Sequence, residues 1–512
     1  MINIDDVRDF DAMLKRRIER FQVKLQDWLA PHRLTLADIR VHKVLIPMVG
    51  VYTPGWQALP AASWAFVELV TREGLIGTGE WSIDLDVPAQ NCIARLRQDP
   101  GRNLLEMEFA EPLFMAWWDL VAQVLEQPLH VLWAELFERD SQAPRAVPMA
   151  AYTWQRFPDA QGEGAVTFAT WPEHAAAQAR HGFPAIKVSM TAYQPEDHIE
   201  LVQRIRQAVG PQTAIRIDAH GTWNYQEARR ILPALEDCNL EYIEQPLNFL
   251  LPQRYYPGDE PVPERLPQEG GFQAEYYFRK MTELRQLLKT PLSCHWWTPP
   301  IVHPPGAAVM SNRWEPNWYM LQRYDAADIS VPDIGLGPWG LWRISQLAKF
   351  MGIHVTVHSN FELCLQLSFR AALVSALVCE EESAGLYMGS TPRPCHAIDN
   401  ETIQVSDDVI EGGPFDWSGG HLQLSSRPGH GLRLDPERLE RYRYSAAAVA
   451  PHRAYAQKIY ADYRLDRPRR TRQSGWPKPP GAETFSRHIY PYSLAHILGG
   501  DEAEDSDLQL NH

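Results

Sequence analysis

Residues 214–223 read AIRIDAHGTW. The run alternates like a strand and stops at Asp218, with His220 two places on and Gly221 after it. An aspartate at that place is the ordinary composition of an Asx-type turn. It is also the composition of a site, if other strands finish in the same way.

Short apolar runs do recur along the chain. They are VPMAAYT (147–153), AIKVSM (185–190), AIRID (214–218), EYIE (241–244), PLSCH (291–295), DISVPD (328–333) and HVTVH (354–358). Stretches of helical period such as QPEDHIELVQRIRQAVG and GPWGLWRISQLAKFMG separate them. Strand and helix alternating over about 250 residues reads as a parallel α/β fold, and a closed barrel suits the number of units. An open doubly wound sheet is the alternative. No G-x-G-x-x-G follows any of these strands, which weakens a dinucleotide-binding reading. In a barrel the strand ends meet on one face. Here they carry Lys187 with Ser189, Asp218 with His220, Glu244, His295, Asp333 and His358. His354 precedes His358 by about 13 Å of strand, so those two histidines do not share one metal.

The remaining sequence sets the frame. The 512 residues are 45% hydrophobic and 22% charged, a globular composition long enough for two or three domains. A net charge of −15 argues against nucleic acid and anionic membranes as partners, and leaves a small anionic substrate open. Cys92, Cys238, Cys294, Cys364, Cys379 and Cys395 form no C-x-x-C pair and read as reduced thiols. No run is apolar enough to span a membrane, and the charged N-terminus does not resemble a signal peptide. The expectation is a cytoplasmic protein.

Residues 1–35 read as an exposed helical extension rich in charge. LADIRVHKVLIPMV and WAFVELVTREGLIGTGEW alternate at period two around a turn at Glu73-Gly74, and FMAWWDLVAQVLEQPLHVLWAELF is helical. Residues 36–140 are therefore expected to form a small α+β domain, and 146–404 the barrel. Two Pro- and aromatic-rich stretches, 248–275 and 298–319, follow strands and read as insertions on the catalytic face. They suit lids or specificity elements, and equally surface decoration or subunit contacts. The segment after 446 reads as an extended C-terminal tail.

The ordered set RIDAHGTW, YIEQPL, VPDIGLG and VHSN resembles the enolase superfamily, of the mandelate racemase and muconate lactonizing type. TREGLIGTGE, HAIDNETIQ and the closing GGHLQLSSRPGHGLRLD extend the resemblance over roughly residues 36–445, close to glucarate dehydratase-like acid-sugar dehydratases. The resemblance implies a (β/α)7β TIM-like barrel with an N-terminal α+β capping domain, to which residues 405–445 return. It implies one divalent metal, usually Mg²⁺, on Asp218, Glu244 and His295. Histidine departs from the family's carboxylate or amide at the third place. Imidazole would favour Mn²⁺ or Fe²⁺, water could replace the ligand, or the site could be compromised. His358 is then the base, with Asp333 fixing its tautomer. Lys187 is the survivor of a Lys-x-Lys pair whose second member is Ser189, and it polarises the substrate carboxylate, sits near the metal, or forms a structural ion pair. Asp218 and His220 resemble the Asp-x-His pair in which aspartate binds metal and histidine protonates a leaving hydroxyl. Tyr152, Ser359, Asn360 and Asp399 match substrate-contacting positions. The implied reaction is dehydration of an aldonic or aldaric acid to a 2-keto-3-deoxy acid. An epimerase or racemase, or a degenerate member with a binding or assembly role, is the alternative. The implied partners are a small sugar acid and further copies of the chain in a homo-oligomer.

Overall fold

The computed structural model describes residues 4–52, 59–82, 85–106, 113–139, 145–190, 195–220, 223, 225–247, 271–295, 321, 323–331, 337–359, 362–377 and 398–466. Two sheets organise them. The first is antiparallel and built from β1 (Leu36–Tyr52), β2 (Leu59–Thr71) and β3 (Ile76–Ser82). The β2–β3 turn uses Gly74 at φ +88°, as its sequence suggests. Strands β4 (Ala146–Thr153) and β5 (Arg156–Phe157) follow, and β5 adds to the edge of β1. β2 is buried on both faces. The helix Phe114–Val124 covers one side. The C-terminal helix Ala446–Asp466 covers the other, where Val449 meets Leu45 and Ala61, and Ala456 and Ile459 meet Val51.

The second sheet is the parallel one. It orders β4, β6 (Ala185–Ser189), β7 (Ala214–Asp218), β8 (Tyr242–Glu244), β9 (Leu292–His295), β10 (Ile329–Val331) and β11 (His354–Val355) in sequence, with β12 (Ile398–Asn400) beside β4. All of these pairings are parallel, and β13 (His421–Gln423) pairs antiparallel to β4. Eight short parallel strands joined by helices make the expected barrel scaffold. Among the described residues, no helix is long and apolar enough to cross a membrane.

Two expectations are corrected. The N-terminal helix Ile4–Leu29 is not exposed all round. Val7, Leu14, Phe21 and Leu25 form a buried stripe, Phe10 stacks on Phe350, and Asp11 makes a doubly bonded ion pair with Arg343 of the helix Gly337–Met351. The segment after 446 begins as a helix, because its apolar face has the capping sheet to bury against; residues 467–512 lie outside the described residues. Of the two expected insertions, 298–319 and residues 248–270 lie outside them as well, while 271–275 open the helix Gly271–Arg285.

The closing Pro-Gly-x-Gly segment locks the C-terminal return onto the cap. Asp119 accepts the Thr78 and His430 amides at 3.0 and 3.1 Å. Gly429, at φ +76°, passes so close that a Cβ there would stand 2.0 Å from Asp119 Oδ1. The cap also reaches the barrel through Glu80. Its carboxylate accepts the Leu363 and Gln366 amides at 2.6 and 2.8 Å, across the first turn of the helix Cys364–Leu377. Carboxyl oxygens at a helix N-terminus satisfy amides that have no intrahelical partner.

Candidate active site

In-register parallel pairing decides which side chains share the barrel interior. Tyr152 lies level with Lys187, Lys187 with Arg216, and Arg216 with Tyr242. One step towards the strand ends, Ser189 lies level with Asp218, Asp218 with Glu244, and Glu244 with Ser293. All of these residues are buried.

Lys187 sits at the junction of the two rows. Its ammonium lies 2.6 Å from Asp399 Oδ2, 2.7 Å from Glu244 Oε2 and 3.3 Å from Asp218 Oδ2, over the Tyr152 ring at 4.4 Å. Below it, Arg216 bonds Glu241 at 2.6 Å and Asp399 Oδ1 at 3.2 Å. Asp399, expected on substrate, is instead wholly buried between these two cations. Four carboxyl groups thus face two cations in a buried space, a formal excess of two negative charges if all four ionise. The excess shows at Glu244, which burial and then the Asp218 charge push up to about 8, against the pull of Lys187. Burial also works against the Asp218 carboxylate, but His220, Lys187 and the Tyr152 hydroxyl outweigh it and hold Asp218 down at about 2.

At the tip of β7 the opening stretch makes the turn its composition suggests. The His220 amide donates to Asp218 Oδ1 at 2.9 Å, which is the Asx turn. The side chains also form a cluster. Tyr152 donates its hydroxyl to Asp218 Oδ2 at 2.6 Å, and His220 Nε2 lies 2.9 Å from the same hydroxyl oxygen. A phenol has one proton, so His220 donates from Nε2 to Tyr152. Burial lowers the His220 pKa, against the pull of Asp218. The Trp154 indole packs on His220 with ring centroids 4.9 Å apart and on Tyr52 of the cap at 4.7 Å. The chain leaves β7 and β8 through left-handed residues, His220 at φ +48° and Gln245 at φ +43°.

His358 lies three residues past β11, half-buried, and its carbonyl accepts from the Arg370 guanidinium. Ser359 is buried; its hydroxyl donates to Glu362 at 3.1 Å and accepts the Glu401 amide at 3.0 Å. His295 closes β9 level with Val331, and its side chain is outside the described residues. Asp333 and Asn360 are outside them too. Asp218 and Glu244 are brought together, and their hard oxygens suit a divalent cation. Among the described residues no group of three metal-ligating side chains converges, as follows if the third ligand is His295. Arg216, Glu241, Trp154 and Arg370 were not anticipated.

The family described as enolase C-terminal domain-like matches residues 171–254, the stretch that carries Lys187, Asp218, His220 and Glu244. The match is to the enolase superfamily's C-terminal domain, over that stretch of the chain. An L-Lys-D/L-Arg epimerase of Methylococcus capsulatus is 25% identical over 78% of this chain and 99% of that protein. A probable glucarate dehydratase of Streptomyces coelicolor is 23% identical over 68% of each. The match to a hydrophobic dipeptide epimerase of Enterococcus faecalis spans 62% of that protein, less than two thirds of its length. A Pseudomonas fluorescens enolase solved with bound magnesium, potassium and tartrate shares the fold at TM-score 0.59 and 19% identity, over 83% of this chain and 93% of that one. The solved structure shares the fold, and dehydratases and epimerases stand side by side among the relatives.

Proposed function

We propose that this chain is a metal-dependent dehydratase that converts an aldonic or aldaric sugar acid to a 2-keto-3-deoxy acid. The observation that carries the reading is the cluster at the tip of β7, where Tyr152 holds His220 beside Asp218. Elimination needs one base and one proton donor, and the position of a second lysine is Ser189. His358 would take the C2 proton. His220 would give a proton to the departing 3-hydroxyl, and the resulting enol would become the 2-keto acid. An anionic substrate beside His220 favours its protonated form and so offsets the effect of burial. A divalent metal on Asp218 and Glu244, with His295 as third ligand, would supply positive charge where the substrate carboxylate becomes more negative. Mg²⁺ suits the two carboxylates; an imidazole ligand would favour Mn²⁺ or Fe²⁺.

The test is a turnover screen. Metal-stripped protein receives Mg²⁺, Mn²⁺ or Fe²⁺ and a panel of aldonic and aldaric acids, and 2-keto acid is measured. Turnover is expected, and His358→Asn is expected to abolish it while divalent binding persists. The epimerase reading gains support from the likeness that spans 99% of the Methylococcus enzyme. It predicts deuterium uptake at C2 from D₂O without loss of water. Silence with every metal in folded protein, with no deuterium uptake at C2 either, would overturn both in favour of a binding role.

A further inference from the structure

β11 is a two-residue strand, and beyond it the Thr356 amide still donates to the Ser330 carbonyl at 3.1 Å. His358 lies two residues further on, and Arg370, 1% exposed in the helix Cys364–Leu377, reaches its backbone. Its guanidinium donates to the His358 carbonyl and, at 2.5 Å, to the Asp399 carbonyl of β12, and it pairs with the Glu362 carboxylate. Glu362 in turn accepts the Ser359 hydroxyl on both oxygens at 3.1 Å, and its carbonyl accepts the Thr402 hydroxyl at 2.9 Å. One planar fork thus joins the segment after β11 to the end of β12. From the other side, Glu80 of the capping sheet and Asp408 fix the first turn of the same helix, Asp408 by accepting the Cys364 amide at 2.8 Å.

We propose that Arg370 and Glu362 are positioning residues for His358, setting its backbone against β12 so that the imidazole has one place to act from. The proposal rests on the reading of His358 as the base, and its test is built to separate the two. Lysine at position 370 keeps the charge but loses the planar fork whose spread reaches the two carbonyls and Glu362 at once. Full-length protein carrying ¹³C-labelled histidine gives ring signals by NMR, with His358 assigned by its disappearance in His358→Asn. In Arg370→Lys the His358 signal is expected to shift or broaden while that of His220 stays in place. On a substrate found by the screen, kcat is expected to fall at least about tenfold with KM within about threefold, the mark of misplacement rather than lost binding. Should Arg370→Lys fail to fold, Glu362→Gln keeps the shape, removes the charge partner, and carries the same expectation. A folded variant with the His358 signal unmoved overturns the proposal. If His358→Asn retains wild-type turnover, the base assignment falls, while the NMR signal still reports whether Arg370 holds the residue.

Discussion

Replacing Tyr152 with phenylalanine isolates one oxygen at the centre of the site. The ring stays, so its contact under Lys187 at 4.4 Å and its packing on Trp154 at 5.0 Å are kept. What goes is a hydrogen bond to the buried Asp218 carboxylate at 2.6 Å and the acceptor for His220 Nε2 at 2.9 Å. A bond to a charged acceptor contributes about 1.5–3 kcal/mol and a neutral one about 1 kcal/mol. The replacements are poor: His220 Nε2 is 3.5 Å from Asp218 Oδ2, and Lys187 is 3.3 Å from it. The expected loss is about 3 kcal/mol, which lowers Tm by about 3–5 °C for a unit between the barrel and the whole chain in size. Asp218 also loses one of the groups that hold it down, so its pKa rises from about 2. The carboxylate's contribution to stability, present above its unfolded pKa and lost as pH falls through the folded one, then starts to fail at a higher pH. Thermal unfolding of metal-free Tyr152→Phe at neutral pH and across the acid range reads both effects. A Tm within about 1 °C of wild type, with an unmoved acid limb, would refute the picture of Tyr152 as the link between Asp218 and His220.

Two further outcomes follow from other parts of the fold. Gly429→Ala puts a Cβ against Asp119 and a side chain into a left-handed backbone, so denaturant unfolding should show a loss of at least about 3 kcal/mol; a loss under about 1 kcal/mol would mean the closing segment is not locked to the cap. His130 is buried, and burial, then the Arg145 charge, hold its pKa down at about 4. Below an unfolded pKa of about 6.5 the unfolded chain takes up the proton first, so this residue should cost stability as pH falls from about 6.5 to about 4, by about 3 kcal/mol in all. His130→Leu should flatten stability over that window, and an unchanged slope would discharge His130 from the role.

Lys187, Asp218 and Glu244 could be placed from sequence because parallel strands deliver their C-terminal ends to one face, whatever the loops do. Arg216 was within reach of the same logic. It stands two residues before Asp218, on the same side of the strand, one row in from the strand tip. The ion pairs of Asp399 had no sequence signal, since the relative stagger of β12, β6 and β7 puts its carboxylate between Lys187 and Arg216. Arg370 had no sequence signal: two of its partners are main-chain carbonyls, and the helix that carries it is buried on every side, so no polar face marks it. The N-terminal helix was misread because its many charges hid the buried stripe of Val7, Leu14 and Phe21.

The left-handed backbone at His220 bears on how this tip could change over evolutionary time. Only a short alphabet occupies that conformation comfortably: glycine, and asparagine, aspartate or histidine among residues with side chains. The Asx bond to Asp218 uses the amide of residue 220, so it survives any replacement except proline. An imidazole can therefore give way to an amide, a carboxylate or no side chain at all while the turn keeps its shape. A β-branched residue would have to rebuild the loop. The geometry of one turn thus lays out which chemistries lie a single substitution apart, and a library at position 220 can be small without missing the accessible ones.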